Sequence, residues 1–141
     1  MPVVYPRAGM VWRTDDGVVR QFVGPRLPFI VGRNAINDNS VAFVLQYRQF
    51  RMLFTGDAGT VAEQRFLSEG VALHADVLKV GHHGSAYGSS PEFIAAVHPR
   101  YAIISVGPTT CSATRHHLRS RCLSGLVRRS SVQTTMVPCK L

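Results

Sequence analysis

No cysteine occurs before Cys111, no histidine before His74 and no acidic residue after Glu92. The three cysteines, Cys111, Cys122 and Cys139, match neither a two-cysteine zinc half-site nor a redox Cys-x-x-Cys pair. An odd number of thiols excludes a fully paired disulfide scaffold, and they are expected to be reduced. No run approaches the roughly 18–20 apolar residues that a membrane-crossing helix needs. The start, Met1-Pro2-Val3-Val4-Tyr5-Pro6-Arg7, lacks the basic region and apolar core of a signal peptide. The fragment is therefore expected to be soluble and unexported. Neither an internal repeat nor a low-complexity tract occurs.

What is present fits one globular domain: 141 residues with 45% hydrophobic content. The formal charge of +8 invites a nucleic-acid reading. Its distribution weakens that reading. Residues 1–107 carry ten basic and eight acidic side chains, whereas Pro108 to Leu141 carries six basic ones (Arg115, Arg119, Arg121, Arg128, Arg129, Lys140) and no acid. The chain thus divides into a patterned segment, 1–107, and a basic tail, 108–141, expected to be poorly ordered.

Val41 to Tyr47 and Phe50 to Phe54 are β-rich runs joined by Arg48-Gln49, which predicts an antiparallel hairpin. Thr60 and Glu63 have capping-box spacing, so a helix is expected from about Val61 to Glu69 with Gly70 as its stop. Asp76 to Val80 reads as a buried strand ending in the loop Gly81-His82-His83-Gly84-Ser85. Ser90-Pro91 starts a second helix reaching about Val97, and Tyr101 to Val106 is a further strand. Val18 to Val23 is a candidate strand, followed by a Pro- and Gly-rich loop. Alternating strands and helices, with polar residues just past strand ends, describe an α/β fold with its site on those loops.

Two such loops carry groups capable of chemistry. Asp57 leaves one strand, and His82 and His83 leave another. Carboxylate oxygen and imidazole nitrogen suit zinc, manganese or iron, and a carboxylate between two metal ions recurs in hydrolases that activate water. An Asp after Gly at a strand end is more often a turn former or cap. Here Thr60 is the better cap, which frees Asp57. A bare His-His pair is more often solvated than ligating, but Gly81 and Gly84 allow the sharp turn and close approach that a ligand requires. His74 and His98 lack such context. Asn37-Asp38-Asn39-Ser40 has the composition of a turn or strand-entry cap, and Trp12 and the strand aromatics that of core.

Four motifs occur in order: Asn37-Asp38-Asn39-Ser40-Val41, Leu53-Phe54-Thr55-Gly56-Asp57-Ala58, Ala75 through Gly81-His82-His83-Gly84-Ser85, and Pro99 through Val106-Gly107. Together, over about Asn34 to Gly107, they resemble the metallo-β-lactamase-like domain of the ComEC-type bacterial competence proteins. The resemblance implies the C-terminal half of an αβ/βα sandwich and a metal-dependent, nuclease-like hydrolase acting on DNA during uptake. It makes Asp57 the metal-bridging, catalytic carboxylate, and His82 a ligand with His83 beside it, His82 preferred. Ser85 and Asn37, Asp38, Asn39 and Ser40 match motifs without an assigned role. The implied cofactor is zinc or manganese, and the implied partners are DNA and the missing N-terminal half-domain or membrane-channel portion of a longer protein of the bacterial inner membrane.

The departures matter equally. The family's early His-x-His-x-Asp-His cluster is absent, so the metal site is incomplete and the fragment is expected to be inactive alone. After Gly107 the expected Asn-x-x-Gly-His-Pro-like loop is also absent. One explanation is a frameshifted reading of the normal end: Thr109 to Arg115 can be encoded so that a shifted frame gives Asn-Leu-Phe-Gly-His-Pro, and Ser130 to Val137 can give Phe-Arg-Thr-Asp-His-Asp-Gly in that frame. A gene whose shifted frame encodes neither string would exclude it. The alternatives are an inactive remnant, a basic nucleic-acid-binding module, and another hydrolase of the same superfamily, since fold alone does not fix substrate.

Overall fold

Apolar and β-branched runs set the strands, and their pairing builds one sheet. The computed structural model describes residues 3–106 and the backbone of 133–138. Val18–Gly24 (β2) pairs antiparallel with Ala42–Tyr47 (β3), which turns through Arg48-Gln49 into Phe50–Phe54 (β4), with Tyr47 opposite Phe50. Arg48 adopts a positive φ of 54°, as tight hairpin turns demand. Val11–Arg13 (β1), not foreseen in the sequence, pairs with β2 as a short edge strand.

After β4 the connections change. Thr60–Ser68 (α1) carries the chain to Val77–Lys79 (β5), parallel to β4, and Pro91–Val97 (α2) carries it to Tyr101–Val106 (β6), parallel to β5. Gln133–Pro138 (β7), within the tail, runs antiparallel to β6. The seven strands lie side by side in chain order. The result is the mixed α/β fold predicted by the strand-helix alternation, with a further short helix at Ala35–Asp38 where a turn was expected. The other residues of 107–141, including the three cysteines and the Thr109 to Arg115 string of the frameshift reading, lie outside the described residues. Among the described residues, no helix is long and apolar enough to cross a membrane.

The core lies on one face. Val44, Leu53, Leu78 and Ala102 pack there with Ala62 and Phe66 of α1 and Phe93 and Val97 of α2. Burying a side chain such as Leu53 or Phe93 contributes about 1.5–3 kcal/mol. The other face, formed by alternate residues, bears an aromatic ladder: Trp12 on Phe22 at 4.7 Å, Phe22 by Phe43 at 5.7 Å and Phe43 stacked on Phe54 at 4.9 Å. The buried apolar side chains of α1 and α2 all join the first face.

Local capping signals fared unevenly. Ser90 caps α2, its hydroxyl accepting the Phe93 N–H at 3.3 Å, with Pro91 in the first turn. Thr60 does not cap α1. Gly59 is its N-cap, and Glu63 turns away to another partner. The capping-box expectation is therefore corrected: a tertiary demand on Glu63 outweighs the local one.

Candidate metal-binding site at the strand ends

Because β4 and β5 are parallel and in register, Leu53 opposite Leu78 and Phe54 opposite Lys79, the loops that follow them leave the same edge of the sheet. Ligand sites in α/β sheets gather at such carboxyl ends. The buried Thr55 hydroxyl donates to the Lys79 carbonyl at 3.2 Å, and the His82 N–H to the Gly56 carbonyl at 3.3 Å. Gly81 permits this contact, since a Cβ there would meet the Ala58 carbonyl oxygen at 2.7 Å.

His82 and His83 both adopt left-handed backbone, φ 45° and 53°. Non-glycine residues pay about 1–3 kcal/mol each for such conformations, which persist where the surroundings impose them. The two imidazoles diverge. His82 Nε2 faces Asn37 Nδ2 at 3.5 Å. His83 Nδ1 lies 2.8 Å from the Ser105 carbonyl oxygen, and its Nε2 lies 3.7 Å from Asp57 Oδ1.

A carbonyl only accepts, so Nδ1 must carry the proton in that bond. In neutral His83, Nε2 is then unprotonated and lies near a carboxylate oxygen. Two acceptors this close suit a shared proton, a cation or a bridging water. An imidazole whose other N–H is held by a backbone carbonyl is also the usual orientation of a metal-ligating histidine. Both side chains are open to solvent, at 62% and 45% exposure, so an ion pair from a protonated His83 would itself contribute about 0–1 kcal/mol.

Asn37, Asp38, Asn39 and Ser40 form the end of the short Ala35–Asp38 helix and the residues just after it. The Asp57 N–H donates to Ser40 Oγ at 3.2 Å, and the Gly59 N–H to Asp38 Oδ1 at 3.1 Å. Asn39 stays nearer home, donating to the carbonyls of Ile30 and Ala35 at 2.8 and 2.7 Å. Ser85 shapes its own loop, its hydroxyl accepting the Tyr87 N–H at 3.3 Å.

Two residues near this edge take roles that the sequence reading did not give them. Glu63, 1% exposed, accepts the N–H groups of Ser89 and Ser90 at 2.5 and 2.9 Å and so ties α1 to the end of the histidine loop. Burial raises its carboxyl above the ordinary value, opposed by those two N–H groups. Lys79 donates to the Val80 carbonyl at 2.8 Å. Burial lowers its ammonium, opposed by the Asp57 charge.

Asp57 and His83 supply two donors where catalytic zinc takes three from protein. Among the described residues no group of three or more His, Cys, Asp or Glu converges. The donor chemistry fits a metal; the donor number fits part of a site. His74 and His98, with ring centroids 6.1 Å apart, precede β5 and β6 and so lie toward the opposite sheet edge. An open hollow lined by Asp76, Val77, Arg100 and Tyr101 also borders that edge.

No family model matches the chain. It is 35% identical over 94 residues to ComE operon protein 3 of Bacillus subtilis (strain 168), covering 67% of this chain and 12% of that protein. It is 38% identical over 95 residues to competence protein ComA of Neisseria gonorrhoeae, covering 65% and 13%. The second of these is thus named as a competence protein. Recombination protein 2 of Haemophilus influenzae is 38% identical over 80 residues, covering 57% of this chain and 10% of that protein. The matched segment thus spans about an eighth of the length of the first two relatives.

Proposed function

We propose that this chain is part of a metal-dependent hydrolase domain acting on DNA during uptake, and that Asp57 and His83 are its contribution to the metal centre. The observation that carries this is Asp57 Oδ1 facing the Nε2 of a His83 whose Nδ1 is held by the Ser105 carbonyl. Zinc or manganese held there would supply Lewis acidity and a water acidic enough to attack a phosphodiester. His82, which the resemblance prefers, has its Nε2 turned to Asn37; His83 is the better candidate.

Similarity to ComE operon protein 3 and to a protein named as a competence protein supports the DNA-uptake role. Helices on one sheet face and an aromatic ladder on the other suit one αβ layer of a sandwich whose second layer comes from the rest of a longer protein. The shortage of donors has the same reading: the remaining ligands come from outside the described residues.

The same shortage favours a second reading, an inactive remnant. Metal content of the purified chain after dialysis against zinc or manganese separates the two. Stoichiometric metal in the wild type, lost in Asp57→Ala and His83→Ala, supports the hydrolase reading. Metal no higher than in the variants supports the remnant. A basic binding module would instead bind single-stranded DNA without metal, with affinity falling steeply as salt rises.

A further inference from the structure

Asp57 receives no side-chain hydrogen bond on its carboxylate among the described residues, so what aims it must act on its backbone. That backbone is a tight turn held from outside. Gly56 sits at φ 58°, and a Cβ on it would fall 2.8 Å from Ser40 Cβ, so the turn rests directly on Ser40. Ser40 Oγ takes the Asp57 N–H, and the buried Asp38 takes the Gly59 N–H, bracketing the carboxylate-bearing residue on both sides. The bracket is itself anchored. Asn39, between the two, accepts the Ile30 N–H at 2.9 Å and returns a hydrogen bond to the Ile30 carbonyl.

A residue that merely caps its own segment bonds to near neighbours. Asp38 and Ser40 bond 21 and 17 residues away, both to the one turn that bears Asp57. We propose that Ser40 and Asp38 are positioning residues that aim the Asp57 carboxylate at His83 Nε2. This rests on the metal-site reading above, and it gives the otherwise unassigned Asn37 to Ser40 motif its work at that site. Outer-shell groups of this kind typically alter metal affinity 10- to 100-fold, so a loss of about tenfold is expected on removing the Ser40 hydroxyl.

The test uses the full chain and two readouts. In the metal-free protein, amide hydrogen exchange at Asp57 should accelerate in Ser40→Ala, and that at Gly59 in Asp38→Ala, while Asp38→Asn, which keeps an acceptor oxygen, leaves Gly59 protected. In zinc titrations, Ser40→Ala and Asp38→Ala should bind about tenfold more weakly and Asp38→Asn near wild type. Val97→Ala, a core change on α2, should lower the melting temperature without changing zinc affinity. The proposal is overturned if Asp57 exchange is unchanged in Ser40→Ala, or if both clamp variants lose stability as Val97→Ala does and keep zinc affinity. A wild-type chain that takes up no zinc defeats the metal-site reading instead; amide exchange then decides by itself whether Ser40 and Asp38 hold the turn.

Discussion

Glu63 offers the sharpest perturbation of the fold around the site. Its two carboxylate oxygens each accept one backbone N–H, from Ser89 and Ser90, with the side chain 1% exposed. Glu63→Gln keeps the volume but replaces one acceptor by an NH2, so one buried N–H faces another donor. An unsatisfied buried donor costs about 1–3 kcal/mol. At about 4 °C per kcal/mol for a domain of this size, the melting temperature should fall by about 4–12 °C. The pH dependence has a definite sign. Burial raises the folded-state carboxyl above 4.5, so the folded protein holds this proton to higher pH than the unfolded chain. That contribution is fully present below the unfolded value and is lost as pH rises through the raised one. Glutamine does not titrate. Melts of both proteins from acid to neutral pH should therefore show the wild-type advantage largest in acid and narrowing as pH rises. A variant as stable as wild type at every pH would refute the two-acceptor account. An advantage that grows with pH would show that the two N–H groups, which favour the carboxylate, outweigh burial.

Other perturbations test the remaining supports. Leu53→Ala, at a fully buried position of β4, should cost about 3–4 kcal/mol in urea unfolding without altering the m-value. Gly81→Ala places a methyl 2.7 Å from the Ala58 carbonyl. The two site loops must then separate, so zinc affinity should drop together with a loss of about 1–3 kcal/mol, read by titration and thermal melting. Zinc affinity of the wild type should weaken as pH falls, because protons compete for His83 Nε2; competition titrations at two pH values measure this, and a pH-independent affinity would contradict the imidazole assignment.

Much of the fold was legible because its signals were local. The hairpin from Ala42 to Phe54 follows from β-rich runs and a two-residue connection, and Ser90-Pro91 announces α2 by its own capping chemistry. Val11–Arg13 was not legible: three exposed residues become a strand only by pairing with β2. The Thr60 and Glu63 spacing pointed to a capping box, but Glu63 is taken by N–H groups 26 and 27 residues away, which no local pattern reveals. At the candidate site, spacing singled out Asp57 and the His82-His83 pair without deciding between the imidazoles. The left-handed turn and the Ser105 carbonyl, 22 residues beyond His83, aim them differently. Turn chemistry likewise suggested a local role for Asn37 to Ser40, while three of the four reach partners 17 to 45 residues away.

The central claim, a metal half-site of Asp57 and His83, is met most directly by following the imidazole nitrogens of the nitrogen-15-labelled chain by NMR as zinc is added. The account predicts that Nε2 of His83 shifts on binding while its Nδ1 keeps its proton on the Ser105 carbonyl, and that Asp57→Ala abolishes the response. A response centred on His82 with His83 unmoved, or none at any histidine, would contradict it.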